Sequence, residues 1–178
     1  MIQAVRNFIR NTDASSATEM ALAAPLLIAL MFGSMELGNY FLTEHGVSKQ
    51  VRNGARYASR LTLANPYTCS DDPSTVFQDP DAENDIINVT KTGSVDGSKT
   101  GRFEPAFWAG CGASQPVSVA IRCVDKADYG GIYTSLDGDI PVVMVSADVE
   151  YNPILNSFGF NTGGLCLHAE SEVAVAGL

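Results

Sequence analysis

The sequence predicts an α+β fold: a long N-terminal membrane-spanning helix continuing into a domain with a small antiparallel β-sheet of about three to four strands. Three observations carry this expectation. Glu19 to Thr43 form an apolar run with no charge between Glu19 and Glu36. Helical periodicity continues past that run through Val47, Val51, Ala55, Ala58 and Leu61. In the last third of the chain, three segments alternate apolar and polar residues with period two.

The apolar run comes first. From Met20 to Leu42 a helix is about 34 Å long at 1.5 Å per residue, enough to cross a hydrocarbon core of about 30 Å. A carboxylate bounds each part of the run, Glu19 at its start and Glu36 towards its end. Acids in such segments are costly and tend to be functional. Pro25 removes one backbone hydrogen bond and is expected to bend the helix slightly. Ser34 and Gly38 give a small-xxx-small spacing at which another helix could approach closely. Upstream, Arg6 and Arg10 make a basic leader. A cleaved signal peptide competes with an anchor here, but the leader ends in Asp13 and no Ala-x-Ala site follows the run.

Composition limits the rest. The chain has 178 residues, a net charge of -9 and 46% hydrophobic residues, which leaves about 130 residues for one domain beyond the span. Residues 1–60 hold six Lys/Arg against four Asp/Glu, and residues 61–178 hold five against sixteen, so the C-terminal part carries -11. Such an acidic head argues against nucleic acid as a partner. Cys69, Cys111, Cys123 and Cys166 all follow the apolar run, and no pair has Cys-x-x-Cys spacing. An even set of widely spaced cysteines suggests two disulfides and an oxidising compartment. Three connectivities are open; four reduced core cysteines are the competing reading. Cys123 shares the alternating face of Val117, Val119 and Ile121, so it is expected to face the core and bridge a covering segment.

The helical extension after the span has two faces. Lys49, Arg52, Arg56 and Arg60 recur at three- and four-residue steps, apart from the apolar positions. Such a stripe is either a solvated face or a contact face for an acidic neighbour, the protein's own head or another copy. Counting Lys and Arg near the ends of the span favours a cytoplasmic head. The cysteines favour the opposite orientation and are given more weight.

Next comes a loop-rich region with turns at Asn65-Pro66, Asp72-Pro73 and Asp79-Pro80. A short helix or helix-to-strand segment is expected from Asp81 to Thr92, then an exposed loop from Gly93 to Gly101. The acids Asp79, Asp81, Glu83 and Asp85 invite a calcium reading, but an EF-hand needs Gly at its sixth position and Glu at its twelfth, where Asn84 and Thr90 stand. Asn88-Val89-Thr90 is a glycosylation sequon without a supporting context. The strands follow: Val117 to Cys123; Val143 to Tyr151, after a turn at Asp137-Gly138-Asp139; and Leu167 to Val175. One polar face on each marks an antiparallel sheet exposed on one side, and short connections suit a meander. The Val47 to Leu61 helix is the nearest cover for the apolar face.

Catalytic motifs are missing from the sequence. His45 and His168 stand apart from any nucleophile or metal-ligand motif, and no phosphate loop, nucleophile elbow or His-Glu-x-x-His occurs. No enzymatic activity, cofactor or metal is expected.

Ala14 to Leu27, followed by Gly33-Ser34-Met35-Glu36-Leu37-Gly38 and Arg52-Asn53-Gly54-Ala55-Arg56, resembles the TadE-like family. These are minor pilins or pseudopilins of bacterial tight-adherence (Flp-type) pilus systems. The likeness covers residues 13–60, and more weakly Val142 to Tyr151 with Asn152-Pro153-Ile154-Leu155. It implies removal of the leader by a prepilin peptidase between Ala14 and Ser15, although the family commonly has Gly in place of Ala14. Glu19 would then be the fifth residue of the mature chain. The resemblance also implies an inner-membrane protein with its head in the periplasm, whose partners are other pilins and the pilus assembly machinery. By this reading the chain divides into a leader (1–18), a transmembrane helix (19–43), a helix extension (44–63) and a head (64–178). A periplasmic binding or sensor module held by one helix is the alternative, and a secreted enzyme a third reading.

Overall fold

The computed structural model describes residues 13–61, 69, 79–99, 101–103, 107–112, 115–128, 131–135, 139–159 and 164–176. The basic leader with Arg6 and Arg10 and the expected turns at Asn65-Pro66, Asp72-Pro73 and Asp137-Gly138 fall outside these residues.

One helix, α1, runs unbroken from Asp13 to Ala58, through Pro25. Its 46 residues extend about 69 Å. The two halves have different surroundings. From Met20 to Leu42 the large apolar side chains point outward all round, with Leu22, Leu26 and Leu42 each more than 60% exposed. This helix is long and apolar enough to cross a membrane. A helix apolar on every side needs an apolar solvent or a buried setting, and the head meets this stretch only around Glu36 to Tyr40.

After Gly46 the pattern narrows to one stripe. Val47, Val51, Ala55 and Ala58 are buried, at the four- and three-residue steps that keep one face towards a neighbour. That neighbour is a three-stranded antiparallel sheet in the order β1 (Val117–Val124), β2 (Ile140–Glu150), β3 (Cys166–Ala174). β2 is central, as the meander requires. Its register aligns Val117 with Ala147 and Ala147 with Ala169, and Ile121 with Val143 and Val143 with Val173. These rows lie on the face that meets α1, where Val143, Val145, Ala147, Val149 and Leu167 are essentially inaccessible. Each buried Val or Leu contributes about 1.5–3 kcal/mol relative to exposure. The C-terminal strand is tied back to the helix where Ala176 N donates to Ser59 O at 3.0 Å.

The region expected as helix or helix-to-strand is a helix throughout, α2 (Pro80–Thr92). The Asp79 side chain accepts from Asp81 N, Pro80 opens the helix, and Gly93 closes it with φ 77° while donating to Val89 O. These caps satisfy end groups that would otherwise lack partners, and they outweigh the strand preference of Ile86, Ile87 and Val89. α2 packs on α1 at Gly54, where an added Cβ would run into the Thr90 hydroxyl. Thr90 cannot easily yield, because it is fully buried and its Oγ1 donates to Ile86 O at 2.8 Å. Gly54→Val is therefore expected to destabilise the head by about 1–3 kcal/mol. Chemical denaturation followed by the fluorescence of Trp108 checks this, and an unchanged midpoint would show that the helices can separate without cost.

Two disulfides fix the periphery. Cys69 joins Cys123, with Cα atoms 5.6 Å apart, and Cys111 joins Cys166, at 6.0 Å. The first ties half-buried Cys123 of β1 to the region after α1. The second joins the segment bridged to β2 at Gly110 to the opening residue of β3, which pairs with Glu150.

Candidate functional site

The structure separates the two acids of the apolar helix. Glu36 is half-buried because the end of β2 and the turn after it fold over α1 at this level. Tyr151 completes the inward-facing alternation of β2, so its ring enters the core and is 3% exposed. Its hydroxyl donates to Glu36 Oε1 at 2.6 Å, a distance typical of a hydrogen bond to a charged carboxylate. Asn152 and Pro153 then end the strand, and a short 3-10 turn occupies Ile154–Phe158. The first backbone N–H groups of such a turn lack internal acceptors. One of them, Leu155 N, donates to Glu36 Oε2 at 3.1 Å. Asn39, one turn along α1 from Glu36, donates its Nδ2 to the Tyr151 hydroxyl at 2.8 Å. The Tyr40 ring meets Tyr151 edge-on, with centroids 5.3 Å apart.

Both carboxylate oxygens of Glu36 thus find donors on the head. The head is tied to one rotational face of the helix where the apolar run ends. Burial, followed by the hydrogen bond to Glu36, pushes the Tyr151 pKa up to about 12 from 10.0. A raised phenol pKa means that the neutral form holds the fold. Its contribution is intact below pH 10.0 and is lost as pH rises through about 12. Beside this junction, Gly33, Leu37, Tyr40, Leu155 and Leu165 line an open apolar groove of about 420 Å³.

Glu19 is placed differently. It is exposed on the bare part of α1, about 26 Å from Glu36 along the axis, and no hydrogen bond or ion pair of its side chain occurs among the described residues. Ala14 and Ser15 lie in the first turn of α1. Lys49, Arg52, Arg56 and Arg60 are all exposed, and none has an ion-pair partner among the described residues. His45 and His168 are exposed. Among the described residues no group of His, Cys, Asp or Glu is assembled to hold a metal ion.

Tyr151, Leu155 and Asn39 are residues of the Glu36 junction that sequence reasoning does not single out as its partners. Tyr151 is legible as an inward-facing strand residue but not as a partner of Glu36, 115 positions away. The available signal is general: an acid in an apolar helix needs a partner, and the head is the nearest source of donors.

Residues 14–56 match the model of the TadE-like protein family. The match begins beside Ser15 and ends within the buried stripe of α1, so it contains Glu19, Pro25 and Glu36. The comparisons with curated proteins and with solved structures find no match.

Proposed function

We propose that this chain is a membrane-anchored minor pilin or pseudopilin that assists assembly of a bacterial tight-adherence pilus. The family match over residues 14–56 supports a pilus-related membrane protein, as does a helix long and apolar enough to span a membrane. The finer role rests on one observation: of the two acids of the apolar run, Glu36 is satisfied by the chain's own head, and Glu19 has no side-chain partner among the described residues. In this reading the head lies in the periplasm, where two disulfides are maintained, and the role is structural rather than catalytic. A prepilin peptidase cutting between Ala14 and Ser15 would leave a free amine four residues from Glu19. The partners are other pilins and the inner-membrane assembly machinery.

An acid in the membrane costs up to about 3 kcal/mol, depending on depth. The positive amine of a neighbouring subunit would offset that cost for Glu19. A role confined to its own helix, through the macrodipole, would contribute only about 0.3–1 kcal/mol. Glu19→Gln separates the two, because it keeps the shape and removes the charge. The expected result is normal insertion and leader removal, with co-purification with other pilins and surface pili both lost. Normal piliation in this variant would refute the assembly role of Glu19.

A further inference from the structure

The head carries opposite charge on its two outer faces, and these faces lie back to back. On α1, Val47, Val51, Ala55 and Ala58 turn towards the sheet, while Lys49, Arg52 and Arg56 project from the far side of the helix, about 140° round at 100° per residue, and exposed Arg60 follows in the turn just after it. On the other side of the same two layers is the outer face of the sheet. There Asp148, Glu150, Glu170 and Glu172 stand against one cation among the described strand residues, Arg122, which is 2.8 Å from Glu172, and the imidazole of His168, which is 2.7 Å from Asp148. With His168 neutral, the named groups sum to -3 on the sheet face and +4 on the helix face.

We propose that the basic stripe of α1 is the docking surface for the acidic outer sheet face of a second copy of this chain. The spacing fits. Arg52 and Arg56 are separated by about 6 Å of helix rise, and Glu170 and Glu172, alternate residues on β3, by about 6.8 Å. The height also fits. The stripe lies on the turns of α1 that pack directly against the sheet, so copies standing side by side in one membrane present the two faces at the same level. Because the faces point in opposite directions, a closed two-fold pair cannot satisfy both. Each contact leaves one basic and one acidic face free, so the association is head-to-tail and open-ended.

An anionic membrane surface is a poorer occupant of the stripe. Arg52 and Arg56 lie about 15 and 21 Å beyond Leu42 along the helix, and exposed charges are largely screened beyond about 8–10 Å at physiological ionic strength. This inference rests on copies standing together in a membrane and deepens the assembly reading. Its test concerns pairing of this chain with itself, not pilus formation, so the two can fail separately.

The experiment uses two charge-reversed full-length chains and two affinity tags, in mild detergent at low salt. One chain carries Arg52→Glu and Arg56→Glu, and the other Glu170→Lys and Glu172→Lys. All four side chains are exposed, and a retained thermal transition of the head verifies folding. Wild-type copies should co-purify, less so at high salt. Each variant should co-purify with itself at least about tenfold more weakly, because the helix face of the first falls from +4 to 0 and the sheet face of the second rises from -3 to +1, so neither chain retains two attracting faces. Mixed together, the variants should regain co-purification, since the unaltered basic stripe of the second chain meets the unaltered acidic sheet face of the first. Association unchanged in either variant alone, or not regained on mixing, would overturn the proposal. So would a basic stripe whose reversal abolishes binding to anionic phospholipid vesicles but leaves pairing intact.

Discussion

Replacing Cys111 and Cys166 together by serine should lower the stability of the head by about 2–4 kcal/mol. The bridge closes a loop with a sequence separation of 55, so the unfolded chain loses much freedom when it forms. Its native position adds to the effect. Gly110 bridges β2 at Val149, Cys111 N donates to Asp148 O at 3.4 Å, and Cys166 pairs across from Glu150. Both sides of the β2 end are therefore held by this one link, next to Tyr151 and the junction with α1. Trp108 is the chain's one tryptophan, is buried and packs edge-on against Phe103 and Phe107, so its fluorescence reports unfolding of this region. In a denaturant titration of the full chain in detergent, the midpoint should fall with little change in slope. An unchanged midpoint would mean that the hydrogen bonds around β2 alone hold the segment.

The second large effect is expected from Glu36→Gln. The amide fills the same space, but it replaces a charged double acceptor by one acceptor and one donor. Either Leu155 N or the Tyr151 hydroxyl then loses its partner, at about 1.5–3 kcal/mol for a hydrogen bond to a charged group. Local opening of the junction should rise by a similar amount, so exchange of the Leu155 amide hydrogen should quicken by roughly 10–150-fold. Tyr151 supplies an independent readout. It should ionise at lower pH than in the wild type, where it titrates at about 12, because an acceptor and a nearby negative charge are gone while burial remains. Stability below pH 10.0 is thus where the wild-type advantage is fully expressed, and it disappears as pH rises through about 12. An unchanged Tyr151 titration and unchanged amide exchange would show that the junction does not depend on the Glu36 charge.

The sequence made the periodic parts of this molecule legible. The unbroken apolar run, the Val47–Val51–Ala55–Ala58 stripe and the three alternating strands each repeat a spacing that one backbone geometry imposes. From them α1, the sheet, the meander and the covering of the sheet by the helix all follow. The middle of the chain was harder. Ile86, Ile87 and Val89 suit strand as well as helix, and the decisive signals were the Asp79-Pro80 start and the Gly93 stop.

The junction was not legible in its particulars. Glu36 stood out as an acid in an apolar segment, but no local pattern links it to Tyr151 or to the backbone of Leu155, more than a hundred residues on. Their meeting depends on where β2 ends relative to α1, which is a property of the packed sheet. The cysteine pairing was open for the same reason. Spacing allows three connectivities, and the choice is made by which segments flank β1 and the end of β2. The two acids look alike in sequence, and only the packed head distinguishes the one it satisfies from the one it leaves open.

In the proposed topology α1 crosses the membrane once and holds a disulfide-stabilised head outside the cytoplasm, with Glu36 at the junction. The most direct measurement fuses a reporter, active only outside the cytoplasm, after Leu178 in the bacterial host. An active reporter is expected, with a cytoplasm-specific reporter at the same position inactive. The reverse pattern would place the head in the cytoplasm and contradict this topology.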